Sequence, residues 1–501
     1  MEIKNPRFKG RTGLNFLTQE DMQLIHSKTL ELLQEVGAEV QHEGARELLK
    51  KAGCQVRKKR VYFPPSLVEW AIKQCPSRIL LYDREGNFSM DVSGKNAYYG
   101  VGSACPNIID YYTKEVRLTN EEDNKNCVKI ADAMPYIDYM MSMCQVYNHP
   151  KTSYEHEYAA MIRYSSKPQV VITADLESTK NVVEMAKVVR GGSLEELVRK
   201  PLFILYCEPT SPLVCTKESM EKVMYMAENN LPVLYAPIPM NGATGPISCA
   251  GSMIQANAES LLGLIVAQVV RPGSPVLYGA IITNMDLKSL QPTYASPETM
   301  MESLALSEMG CDFYHLPTWG TAGCTSSKLA DAQAIMEGTQ YITLAGLSGT
   351  NVIHDVGYTT FGLTVSMDLV VMMNEAIGRM RRVFEGINLS PEYLCMDDLK
   401  EVGPKGHFIG QMSTLVMNNE NWESDLEDRN EPDRWEVLGS STMEQRANRK
   451  VIDIIENAPL NTLPEDLDRQ IVNIINRIDA NEEIECADEL NASQIKNVVY
   501  E

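Results

Sequence analysis

Eight short apolar runs, rich in β-branched and aromatic residues, alternate with amphipathic stretches between residues 96 and 390. No other feature limits the fold as much. The runs are NAYYGVG (96–102), IDYMMSMCQV (137–146), QVVITAD (169–175), PLFILYCEP (201–209), PVLYAPIPM (232–240), PVLYGAIIT (275–283), CDFYHLPTW (311–319) and GTNVIHDVG (349–357). Strands that are apolar along their whole length belong to a parallel sheet with helices on its faces. Eight strand–helix units favour closure into a (β/α)8 TIM barrel, with an open doubly wound sheet as the competing arrangement. Helices are predicted near 119–133, 152–165, 178–190, 216–229, 252–271, 296–309, 326–346 and 364–388. No GxGxxG follows the first run and no GxxxxGK[ST] occurs, so the usual nucleotide loops are missing.

The barrel, at 96–390, is flanked on both sides. Residues 1–95 read as a helical N-terminal region. There Thr18 can cap one helix and Gly37 can stop it, a second helix follows near EGARELLKKAG, and Ser66 with Glu69 offers a capping box for a third. PNIIDYYTKEVRLTN (106–120) reads as a hairpin inserted after the first strand, turning near Thr113-Lys114. Residues 391–501 form an acidic, helical C-terminal extension with a solvated loop at 422–435.

The net charge of −21 repels phosphate backbones and anionic lipid, which excludes nucleic acid and membrane surfaces as partners. No uninterrupted apolar run reaches the roughly 18 residues of a membrane helix. The stretch MEIKNPRFKGRTGLNF has no apolar segment behind its basic residues, so no secretory leader is expected. Twelve cysteines are scattered without a CxxC, which suits reduced thiols and a cytoplasmic location. Whether copies of the chain assemble into a homo-oligomer is left open.

Chemistry in such barrels sits at the carboxyl ends of the strands. Those ends offer Tyr98, Tyr99 and Ser103, then Gln145 and Tyr147, Asp175, Glu208, Asn241, Thr283 and Asn284. The seventh adds His315, Thr318, Trp319 and the loop GTAGCTSSK, and the eighth adds His354, Asp355, Tyr358 and Phe361. Aromatics and amides abound, and no Lys or Arg stands at a strand end. A dianionic substrate would want cations there. An organic cation would want aromatic faces, each worth about 0.5–2 kcal/mol. Competing uses are a zinc site or a Cys324 nucleophile built on His315, or a barrel that binds without turnover. His354 and Asp355 are expected on opposite faces of their strand, and so not paired.

NAYYGVG, GTAGCTSSKLADAQAIMEG and GHFIGQMSTLVM…DRNEPDRWEVLGSS resemble the trimethylamine methyltransferase superfamily, from the N-terminal helices to about residue 455. The resemblance implies a (β/α)8 barrel that moves a methyl group from a methylated amine to the cobalt of a corrinoid protein. The founding branch carries pyrrolysine. This chain holds only standard residues, which implies the non-pyrrolysine branch and a quaternary amine such as glycine betaine, proline betaine or carnitine. On that implication Tyr98, Tyr99, Tyr358 and Phe361 are expected to hold the ammonium and His354 the tail of the substrate. Gln145, Glu208 and Trp319 complete the expected pocket. No covalent catalytic residue and no bound metal are expected, and Asp355 receives no role. Corrinoid-carrying modules use DxHxxG. Here His354-Asp355-Val356-Gly357 and His407-Phe408-Ile409-Gly410 match HxxG only, with Val352 and Lys405 at the aspartate position. The chain is therefore expected to bind no corrinoid tightly and to receive it from a partner protein.

Overall fold

The structure, a computed structural model, describes residues 13–498, the side chains of Asn419 and 482–498 excepted. Residues 1–12, in the stretch where no secretory leader was expected, lie outside it. Seven of the runs form parallel strands, hydrogen-bonded in the order Tyr98–Tyr99, Val352–His354, Thr318–Thr321, Val276–Gly279, Val233–Tyr235, Phe203–Cys207, Gln169–Ile172. The run at 137–146 never becomes a regular strand, yet it closes the ring. Tyr139 bridges Gly100 on one side and Met140 bridges Gln169 on the other, both in parallel. The Asp138 N–H donates to Tyr99 O at 2.7 Å, and the Met140 N–H donates to Pro168 O at 2.8 Å. The result is an eight-stave barrel.

Successive side chains on a strand point to opposite faces, and the burial follows. Tyr98, Tyr139, Met141, Val170, Ile204, Leu234, Leu277, Trp319 and Val352 fill the barrel interior as one cluster. Their neighbours Tyr99, Met140, Val171, Leu205, Val233, Tyr278 and Ile353 face outward into the helical layer. Eight helices form that layer: Glu121–Ala133, Ser153–Tyr164, Leu176–Val188, Lys217–Glu228, Cys249–Val270, Pro297–Glu308, Ala332–Ser348 and Met367–Glu385. Cys249–Val270 is long and apolar enough on average to cross a membrane, despite Gln255, Asn257, Glu259 and Gln268 along it. Most of it is buried within this protein.

Three local expectations are corrected. The helix Pro65–Gln74 starts on its proline, with Pro64 as N-cap and no side-chain cap bond. Ser66 therefore sits two places too far in to act as cap, and the Ser66–Glu69 box does not form. The N-terminal region also carries short strands. Ala38–Val40 pairs with Arg60–Tyr62 and, in parallel, with Val214–Cys215 from the far side of the fourth stave. The seventh stave is Thr318–Thr321 rather than the start of its run, because Met309–Tyr314 is a π-helical turn that ends on a left-handed His315.

The hairpin Ile79–Tyr82/Phe88–Val92 plugs the amino end of the barrel. Ile79, Leu81, Met90 and Val92 join the interior cluster. The Tyr82 N–H donates to Pro201 O at 2.9 Å, the Arg84 N–H donates to Ser166 O at 2.8 Å, and the Asp91 N–H donates to Tyr98 Oη at 2.9 Å. The expected insertion is a hairpin, Asn107–Ile109/Val116–Leu118, and its first strand pairs with Thr364–Val365 beyond the eighth stave.

Gly279 shows how tightly the staves close. A Cβ there would stand 2.0 Å from the Trp319 carbonyl oxygen. Backbone cannot yield as a flexible side chain does, so Gly279→Ala is expected to cost about 1–3 kcal/mol, read by urea unfolding.

Candidate active site

At the carboxyl end of the staves the interior turns from aliphatic to aromatic and polar. Tyr206 and Glu208 follow one another on the inward face of the fourth stave, and the Tyr206 hydroxyl donates to Glu208 Oε2 at 2.9 Å. The Tyr206 ring lies 5.5 Å from Trp319, whose ring lies 4.4 Å from His354. Glu208 reaches solvent at the carboxyl end of the fourth stave although protein surrounds it on most sides. Burial raises its pKa, while the Tyr206 hydroxyl and the charge of Lys222 oppose the rise. Lys222 reaches back from the helix Lys217–Glu228 to donate to Thr173 O at 2.7 Å, at the end of the third stave. A buried cation thus stands behind the mouth, supplied by a helix and not by a strand end.

Tyr294 approaches from outside the barrel. It lies between the strand Gln291–Thr293 and the helix Pro297–Glu308, half-buried, and packs on the interior cluster. Asp355, Cys324 and Glu208 are close enough for their charges to raise its pKa, though burial is the main cause. Trp319 is fully buried, and its indole Nε1 has no hydrogen-bond partner among the described residues, a loss of about 1–3 kcal/mol.

His354 and Asp355 do pair, against expectation. Asp355 takes φ of 74°, which ends the strand alternation and turns its carboxylate back. Asp355 Oδ1 then lies 3.2 Å from His354 Nε2, and the Thr321 hydroxyl donates to Asp355 Oδ2 at 2.7 Å. His354 Nδ1 lies 3.1 Å from Gly320 O, to which it donates. Burial lowers the imidazole pKa and raises that of the carboxyl. Both shifts favour the neutral forms. The pair is occupied internally, which removes His354 as an obvious clasp for a substrate tail.

Of the eight residues expected to form the pocket, Glu208, Trp319 and His354 converge and the others stand apart. Tyr99 points outward, and its hydroxyl donates to Ile342 O at 2.9 Å in the helical layer. Tyr98 points inward but at the plugged end, where its oxygen accepts from Asp91. Tyr358 is buried among the outer helices and donates to the Ser103 carbonyl; it buttresses the segment whose backbone meets Asp355. Phe361, in a left-handed conformation, is half-buried with Lys328 Nζ 4.3 Å from its ring centroid, so a cation already covers it. Gln145 ties its loop to the segment after the first stave: its N–H donates to Cys105 O at 3.0 Å and its carbonyl accepts from the Thr119 hydroxyl at 2.8 Å. Tyr98, Tyr99, Tyr358 and Phe361 thus do not gather in one place, and the rings near the carboxyl end of the barrel interior are Tyr206, Tyr294 and Trp319. Tyr206 was visible two positions before Glu208, on the same strand face. Tyr294 carried no signal, since an inserted loop has no period to read.

The pair His315 and Cys324 does not meet. His315 is exposed before the seventh stave, and Cys324 is fully buried after it. Burial holds the Cys324 thiol well above its usual pKa, which leaves it protonated and no nucleophile. An open apolar groove along the helix Ala332–Ser348, lined by Ile335, Met336 and Leu344, faces away from the strand ends.

Residues 4–482 match the family model described as trimethylamine methyltransferase. A trimethylamine methyltransferase MttB of Desulfitobacterium hafniense (strain DSM 10664 / DCB-2) is 31% identical over 466 residues, covering 92% of this chain and 94% of that one. A glycine betaine methyltransferase of D. hafniense (strain Y51) is 28% identical over 461 residues, covering 91% and 95%. The solved monomethylamine methyltransferase of Methanosarcina barkeri shares the fold at a TM-score of 0.52 and 12% identity, over 91% of this chain and 90% of that one.

Proposed function

The chain belongs to the trimethylamine methyltransferase family and is a methyltransferase, and on that premise we propose that its methyl donor is a betaine-like quaternary amine and its acceptor a separate corrinoid protein. The observation that carries this reading is the mouth itself: Tyr206 and Trp319 in ring contact, Tyr294 packed on the same cluster, and Glu208 hydrogen-bonded to Tyr206. Aromatic faces and a carboxylate suit a permanent ammonium. The relative named a glycine betaine methyltransferase supports it further.

A quaternary nitrogen already bears its charge. In an in-line displacement the C–N bond breaks, its electron pair returns to nitrogen, and a neutral tertiary amine leaves. No proton is needed, which fits a mouth whose His354–Asp355 pair is closed on itself. The corrinoid, held by the partner, supplies the Co(I) that takes the methyl group. The residues of this chain do not fit it as their own cofactor: His354 is wedged against Trp319, and exposed His407 lacks the aspartate of the carrier motif. What the chain contributes is orientation of the N–CH3 axis and exclusion of water. Tyr206, Tyr294 and Trp319 hold the ammonium, and Glu208 balances its charge.

Mixing the protein with a reduced corrinoid protein and glycine betaine, proline betaine, carnitine or trimethylamine tests this. Loss of one methyl from a betaine, with the tertiary amine formed in equal amount, is expected. Demethylation of trimethylamine alone, or of nothing in the set, refutes it. Tyr294→Ala is expected to raise KM for the betaine about 3- to 30-fold, the worth of one ring, without shifting the unfolding midpoint by much. An unchanged KM removes Tyr294 from the cage.

A further inference from the structure

Two of the chain's seven histidines stack on the carboxyl side of the barrel, outside the mouth. The His149 and His156 rings lie 3.7 Å apart, tilted by 19°. His149 belongs to the loop after the second stave. His156, in the first turns of the helix Ser153–Tyr164, is buried. A carboxylate stands at each edge of the stack. Glu121, the first residue of the helix Glu121–Ala133, lies 3.8 Å from His149 Nε2 and 3.9 Å from His156 Nδ1. Asp479, from the last helix, faces the other two nitrogens, at 4.0 Å from His149 Nδ1 and 3.1 Å from His156 Nε2. Thr152 Oγ1 donates to the same Asp479 oxygen at 3.1 Å.

The two edges differ in kind. On the Asp479 side, His156 Nε2 is at hydrogen-bond distance. On the Glu121 side neither contact is short enough for a hydrogen bond, yet one oxygen and two ring nitrogens lie within 4.8 Å of one another. Zinc holds imidazole nitrogen and carboxylate oxygen at about 2.0–2.2 Å, which sets tetrahedral ligands about 3.4 Å apart. The rings stack nearly parallel, so the half-buried His149 has to turn on its loop and the exposed Glu121 has to close in before the three ligand atoms face one ion. We propose that Glu121, His149 Nε2 and His156 Nδ1 bind a zinc ion. Asp479 is then the outer carboxylate that fixes the His156 ring by accepting its Nε2–H, as carboxylates behind zinc-bound histidines do. The ion joins the helix after the first stave to the loop and helix after the second, with the C-terminal helix behind them, and it offsets negative charge in a strongly acidic chain. It stands apart from the ammonium mouth and is independent of the substrate assigned there.

Equilibrium dialysis of the full chain against Zn2+, with metal counted by mass spectrometry, tests the site. One zinc per chain is expected. Glu121→Gln and His149→Ala alter accessible ligands, so folding is checked by circular dichroism, and each should weaken binding at least tenfold. Asp479→Asn should weaken it about 10- to 100-fold. Co2+ in place of zinc should give visible absorption that both ligand variants lose. Absence of saturable zinc binding in the unaltered protein, or undiminished binding in folded Glu121→Gln and His149→Ala, overturns the proposal.

Discussion

Trp319→Ala is expected to lower stability by about 3–5 kcal/mol and to abolish betaine turnover. Trp319 is fully buried at the centre of the barrel, between Tyr206 at 5.5 Å and His354 at 4.4 Å. Removing the indole leaves a cavity in a closed ring of staves that cannot collapse inward without breaking register. Both neighbours lose the surface that sets their orientation, so the Tyr206–Glu208 hydrogen bond loosens as well. Trp319→Phe separates the two effects. It keeps most of the volume and should cost less than about 1.5–2 kcal/mol, yet it offers a weaker face to a cation. Urea unfolding measures the first quantity and calorimetric binding of the betaine the second. Unimpaired binding in the phenylalanine variant would exclude the indole from the ammonium site.

The second large effect is on pH dependence. Glu157 is buried on the helix Ser153–Tyr164, accepts from Ser153 Oγ at 2.7 Å, and is pushed up to about 8 by that burial. Ser153, Ser142 and the Val146 N–H favour its charged form, while nearby Glu155 opposes it. In the unfolded chain it titrates near the ordinary value of 4.5. The folded state therefore holds a proton that the unfolded state releases between those values. Its contribution is full below about 4.5 and is lost as pH rises through about 8, on the order of 5 kcal/mol in all. Glu157→Gln cannot ionise and should remove that slope. Unfolding free energies at pH 5, 6.5 and 8 should diverge between the two proteins, with the variant gaining as pH rises. Parallel profiles would show that Glu157 ionises freely in the folded state.

The sequence carried the barrel because continuous apolar strands and amphipathic helices have periods that can be counted. All eight helices lie close to their expected positions. What stayed hidden depends on contacts between distant segments. The plug Ile79–Tyr82/Phe88–Val92 alternates too briefly to stand out among helices. The second stave makes only isolated bridges, so its irregularity has no local cause. At the mouth, Glu208 and Trp319 were legible as inward residues near strand ends. Tyr98 and Tyr99 misled, because a stave's amino end and its outward face are aromatic for packing reasons alone. The His354–Asp355 pair depended on a single positive φ at a residue other than glycine, which alternation cannot foresee.

The hairpin beneath Tyr98 turns the barrel into a cul-de-sac. Under the proposed reaction, donor and acceptor must share one doorway. The small amine has to be seated before the bulky visitor docks over it, and the spent amine has to wait until that visitor departs. Kinetics should then be strictly ordered, with excess carrier protein slowing the cycle by blocking the next amine at the threshold.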